Sequence, residues 1–350
     1  MLPPSPLAPS PCFAAPVAHD DAGHGFGPDR RWSAGLDLIF EARLARSVLT
    51  RMSFHGPLRV QRPFYPEGPL PGAPLAAAAL AEPCHCCLLH PPGGLVSGDD
   101  LRITALVEPQ AHVLLTTPSA AKCYAADACQ VPQAQHVALR VRGGLLEWLP
   151  RETIVYDGAR AELTTAIDLD ATACCLGWEA LCLGRAAAGE RFTRGRLRQR
   201  LSLWRAGRPL LHETLDLTAG DDLQHGPFGL QGETVCATLF AVGRAEAQGG
   251  PGPDQAALEA VCAQLQEGLA PESPCTPLIS GGRPGPGPVR ALSPASGRAG
   301  ATLRQGVLLL RYLGPDMEAA RRLFFQAWAL LRPVLAGRAP CPPRVWAGAF

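Results

Sequence analysis

Short apolar-rich stretches recur along most of the chain, each about five to eight residues long and each ended by Gly, Pro or Asp. Residues 32–41 alternate and read as a first strand, and Leu58–Tyr65 reads as another. Further strands are expected at 84–89, 101–107, 111–117, 136–142, 145–149, 153–156, 161–169, 196–203, 210–217 and 235–242. Regular helices do not interleave with them, so the doubly wound nucleotide-binding architecture is excluded. The pattern predicts a mainly β protein, sandwich-like or coiled.

Between two of these strands lies His90-Pro91-Pro92-Gly93-Gly94-Leu95-Val96-Ser97-Gly98-Asp99. The prolines fix φ and remove donors, and the glycines beside them tolerate positive φ. A tight corner must form there, re-aiming the chain, with Asp99 able to bond its own backbone. Pro91, Pro92, Gly93, Gly94 and Gly98 are therefore structural. After Pro118, residues 119–124 suit a short helix capped by Thr117 or Ser119.

Two helices are expected. Residues 256–269 repeat Leu258, Val261, Leu265 and Leu269 on one face. The clearest runs from Met317 to Leu331, with Ala320, Leu323, Phe324, Ala327, Trp328 and Leu331 at helical spacing. Asp316 and Glu318 suit its first turn and Pro333 its end. Residues 1–31 and 281–297 are Pro/Gly/Ala-rich and are expected to be disordered, leaving 32–350 as a single domain.

The chain of 350 residues carries a net charge of +1, which gives no electrostatic basis for a nucleic-acid or anionic-membrane partner. No apolar run is long enough to span a bilayer and residues 1–20 do not resemble a signal peptide, so a cytoplasmic protein is expected. Its 13 cysteines form no paired CxxC frame for zinc.

Cys84-His85-Cys86-Cys87 with His90 is the sharpest metal-like cluster. In a strand, Cys84, Cys86 and His90 face one side while His85 and Cys87 face the other. One strand therefore cannot enclose an ion without ligands from elsewhere. GxSxG, HExxH and P-loop motifs are all missing. Glu147, Glu152, Glu179 and Glu190 are not paired as acid–base catalysts, and ion pairs with the abundant arginines are the simpler expectation. Nothing here points to an enzyme.

Several motifs in order resemble the UreD (also called UreH) urease accessory family. They are the corner 90–99, Leu114-Leu115-Thr116-Thr117-Pro118 with Ala121-Lys122 and Tyr124, and Leu146-Glu147-Trp148-Leu149-Pro150 with Glu152-Thr153-Ile154. Gly177-Trp178-Glu179, Leu183-Gly184-Arg185, Gly189-Glu190 and Phe192 follow. The C-terminal Trp328, Leu331-Arg332-Pro333 and Pro343-Arg344-Val345-Trp346 complete the set, which spans about residues 32–347.

The resemblance implies a helix-like coil of short strands with a few helices. It implies a non-enzymatic scaffold or chaperone that binds apo-urease and the complex of UreF with the GTPase UreG, and assists nickel insertion into the urease active site. No permanently bound cofactor is implied, only nickel in transit along an internal polar passage. His85, His90, Asp99, Glu147, Glu179 and Glu190 are the candidates for polar groups on that route. Trp328, Arg332, Arg344 and Trp346 are the candidates for partner contact. Two other readings compete: a metal-binding protein or metalloenzyme using the Cys84–His90 cluster, and an interaction module without a metal role.

Overall fold

A computed structural model describes residues 31–68, 80–245, 252, 254–270, 292 and 296–346. Residues 1–30 and most of 281–297, where disorder is expected, lie outside the described residues.

The protein is mainly β, as its strand spacing predicts. In chain order the strands are β1 (Trp32–Arg43), β2 (Arg46–His55), β3 (Arg59–Val60), β4 (Cys84–Leu89), β5 (Asp99–Val107), β6 (His112–Thr116), β7 (Ala121–Cys123) and β8 (Gln133–Val141). Then come β9 (Leu145–Leu149), β10 (Thr153–Val155), β11 (Arg160–Leu169), β12 (Cys174–Leu183), β13 (Arg196–Arg205) and β14 (Arg208–Thr218). Helix α1 (Asp222–His225), β15 (Val235–Val242), α2 (Gln255–Leu269), β16 (Arg298–Arg304), β17 (Val307–Gly314) and α3 (Met317–Ala336) close the chain.

From β4 to β13, apart from the short β7 and β10, the chain alternates between two sheets, adding a strand to each in turn. The first sheet has the order β14-β13-β11-β8-β5-β1-β2. The second runs β16-β17-β15-β12-β9-β6-β4-β3, with β10 bridging β12 to β7. The centres are parallel, β1-β5-β8-β11-β13 in one sheet and β4-β6-β9-β12 in the other, and antiparallel hairpins close the edges. The coil of strands that the family resemblance implies is the observed arrangement.

The corner at 90–98 makes one of these crossings. Gly93 and Gly98 sit at φ of 80° and 88°, where a Cβ would be strained. Asp99 Oδ2 accepts from the Val96 amide at 2.8 Å, closing the turn. The corner then docks onto β7, with Leu95 N donating to Lys122 O at 2.7 Å and Tyr124 N to Leu95 O at 3.0 Å. This corrects the helix expected at 119–124. The backbone of Ala121–Cys123 is committed to Leu95 on one side and to β10 on the other, so it is extended.

Two apolar clusters fill the space between the sheets. One contains Leu36, Phe40, Cys84, Cys86, Leu201 and Phe240, the other Val155, Leu163, Leu181, Phe192 and Leu230. A third cluster lies between the outer face of the second sheet and helices α2 and α3. Asp316 caps α3 by accepting from the Glu318 amide at 2.8 Å. Pro333 does not end the helix, as its sequence suggests. One more turn follows, and Gly337 terminates it at φ 64°, donating to Pro333 O. The apolar stripe of α3 is core: Leu323, Phe324, Ala327, Trp328 and Leu331 are all buried. Among the described residues no helix is long and apolar enough to cross a membrane.

Candidate functional site

Two polar sites interrupt this apolar packing. The first is a charge network sealed beneath α3. Strands β6 and β9 are wholly buried, so His112 and Glu147, each fully enclosed within them, need polar partners. Each finds the other, with His112 Nε2 2.7 Å from Glu147 Oε1. From α3, Trp328 Nε1 donates to Glu147 Oε2 at 2.5 Å and Arg332 Nε to Oε1 at 3.0 Å. Arg332 reaches onward, donating from Nη1 to Glu67 Oε2 at 3.0 Å and from Nη2 to Glu67 Oε1. His85 Nε2 meets Glu67 at 2.7 Å.

Burial opposes the charge on Glu147, but Arg332, His112 and Trp328 outweigh it and hold the carboxyl at about 2. Burial likewise opposes the charge on Glu67, yet His85 and Arg332 hold it below the usual range. Burial pushes His112 down, against the Glu147 carboxylate, which pulls it up.

The second site is a cavity of about 640 Å³ between the sheets, opening between β14 and the β16–β17 hairpin. It separates the two inter-sheet clusters, with Leu201 of one and Leu230 of the other among its walls. Register sets its polar surface. Glu179 of β12 pairs with Thr238 of β15, which pairs with Arg311 of β17. On the facing sheet Thr165 pairs with Leu201, which pairs with Glu213. Glu179 Oε2 accepts from Gln199 Nε2 at 2.7 Å. Burial, against that hydrogen bond, pushes its carboxyl up to about 7. Glu179 therefore exchanges its proton near neutrality, with oxygen donors beside it of the kind hard or borderline divalent cations accept.

The structure brings together only some of the residues picked from sequence. His85 and Glu147 share the buried network, and Glu179 lines the cavity. Asp99 closes the corner, His90 stands beside it with its pKa lowered by burial, and Glu190 pairs with Arg185. Of the acids expected to pair with arginines, Glu147, Glu152 and Glu190 do so, with Arg332, Arg321 and Arg185. Glu179 instead pairs with an amide.

Trp328, Arg332 and Trp346 are buried, with Arg332 at 1% exposure, so a partner cannot touch them while α3 lies on the sheet. Trp346 packs on Trp178 and Trp328 at ring distances of 5.7 and 6.0 Å. Of the four, only Arg344 faces solvent. Cys84 and Cys86 lie in the apolar core, and burial pushes the Cys84 thiol up to about 11. Among the described residues no group of three or more His, Cys, Asp and Glu converges as a metal site.

Glu67, His112 and Arg338, whose Nη1 lies 3.9 Å from Glu67 Oε2, belong to no sequence motif. Glu67 sits in a Pro-rich loop with no periodicity. His112 carried a signal, a lone imidazole in an otherwise apolar strand.

The fold and its two sites define a coiled, two-sheet β protein with a polar cavity inside and a helix clamped to its outer face. The model of the UreD urease accessory protein family matches residues 33–347, and the chain belongs to that family. It is 46% identical to the urease accessory protein UreD of Chromohalobacter salexigens over 327 residues, covering 93% of this chain and 92% of the relative. It is 44% identical to that of Marinobacter nauticus, covering 93% and 96%. The family supports a role in urease maturation.

Proposed function

We propose that this protein is a non-catalytic scaffold in urease maturation. It binds apo-urease and the UreF–UreG complex in the cytoplasm and passes nickel, as cargo, through the cavity beside Glu179. The supporting observation for the route is the cavity itself. An inter-sheet core is ordinarily continuous and apolar. Here it is divided by an open space with a carboxyl on its inner wall.

A transit site needs ligands that release their ion, so a closed set of thiolates would be unsuitable. A single carboxyl that trades a proton for a cation meets the requirement.

The test is Glu179→Ala in cells expressing urease and its other accessory proteins with nickel supplied. Urease activity and urease nickel content both fall while the variant stays folded by circular dichroism. Full activation by a folded variant removes Glu179 from the route.

A further inference from the structure

At the mouth of the cavity, Arg311 of β17 donates to Glu213 of β14. These residues belong to different sheets, so the ion pair ties the sheets together across the opening. Both line the cavity, as does Glu179. By register Arg311 lies two strands from Glu179, about 10 Å along the same inward-facing row.

We propose that the Arg311–Glu213 pair is a gate on the cavity, and that a divalent cation must displace Arg311 from Glu213 to reach Glu179. The proposal rests on reading the cavity as a cation path. Three features carry it. A guanidinium keeps its charge at any physiological pH, so only movement opens the gate. The Arg311 side chain is 52% exposed and has solvent to swing into. Glu213 is more enclosed, at 31%, so it stays as the outer carboxylate when Arg311 leaves. With Arg311 in place, its fixed positive charge repels an approaching dication and occupies the carboxylate that would receive it.

The experiment measures Ni²⁺ binding to the full-length chain by isothermal titration calorimetry. Arg311→Met keeps the aliphatic stem and removes the charge; Arg311→Gln repeats the measurement if the first variant does not fold. The gate predicts Ni²⁺ affinity raised about tenfold or more over the unaltered chain. Adding Glu179→Gln to the same variant should return affinity to the starting value. Unchanged affinity on removing Arg311 overturns the gate, and so does a gain that persists without the Glu179 carboxylate. Failure here is separable from failure of the path, which is read from urease activation by Glu179→Ala with Arg311 intact.

Discussion

Arg332 Nε lies 3.0 Å from Glu147 Oε1, and both side chains are at zero exposure. A helix and a strand far apart in sequence are joined by charges that have no water to fall back on. Glu67, His85, His112 and Trp328 complete the bonding, which makes α3 a clamped part of the sheet.

Breaking this pair leaves an uncompensated buried charge. Glu147→Ala should destabilise the protein by about 3–5 kcal/mol, read as a shift in the urea midpoint. A double replacement, Glu147→Leu with Arg332→Met, should cost less than the sum of the two single changes, because neither charge is then stranded. Additive losses would show that the pair is not coupled.

The same network sets a response to acid. Glu147 is held at about 2 against an ordinary 4.5, so its contribution is fully present above the ordinary value and is lost as pH falls toward 2. The shift corresponds to roughly 3 kcal/mol. His112, lowered by burial, adds to the loss, because the unfolded chain takes up that proton more readily as pH drops below 6.5. Thermal melts from pH 8 to 3 should show falling stability. Glu147→Gln should lie well below the unaltered protein at neutral pH and approach it near pH 3.

Glu179 titrates the opposite way. Its carboxyl is raised to about 7, so the neutral form stabilises the fold at low pH and that contribution is lost as pH climbs through 7. Glu179→Gln should therefore gain on the unaltered protein between pH 5 and 8 in thermal melts. Parallel curves would mean an ordinary, solvated carboxylate.

The corner depends on close approach as well as on φ. A Cβ at Gly94 would lie 2.5 Å from the Tyr124 ring and 2.9 Å from Lys122 O. The ring can turn aside, but that carbonyl accepts from Leu95 N and is fixed. Gly94→Ala should cost about 1–3 kcal/mol by overpacking, while Gly189→Ala, with open space around it, should cost only the strain of its φ of 73°.

Most of the strands, the corner and both long helices were legible because each follows from local chemistry: alternation, turn residues and an Asp cap. Strands β2 and β12 were not, since residues 46–55 are basic and only half apolar and 174–183 do not alternate. Pairing partners were not. Residues 121–123 read as a helix start, and only the distant neighbours Leu95 and Thr153 make them a strand. The coil of two sheets came from resemblance, since short strands alone fit a sandwich equally well. Of the sites, Glu147 was named as an expected arginine partner and route residue, but its partner Arg332 lies on α3, and nothing local joins them. Glu179 was picked out beside Trp178, whereas its setting depends on four strands brought together by register.

The most direct test of the account is nickel in urease. Urease subunits and the other accessory proteins are expressed with nickel, with and without this chain, and the purified urease is assayed for bound nickel and for urea hydrolysis. Both should depend on the chain. Urease that fills with nickel and works fully in its absence would contradict the account.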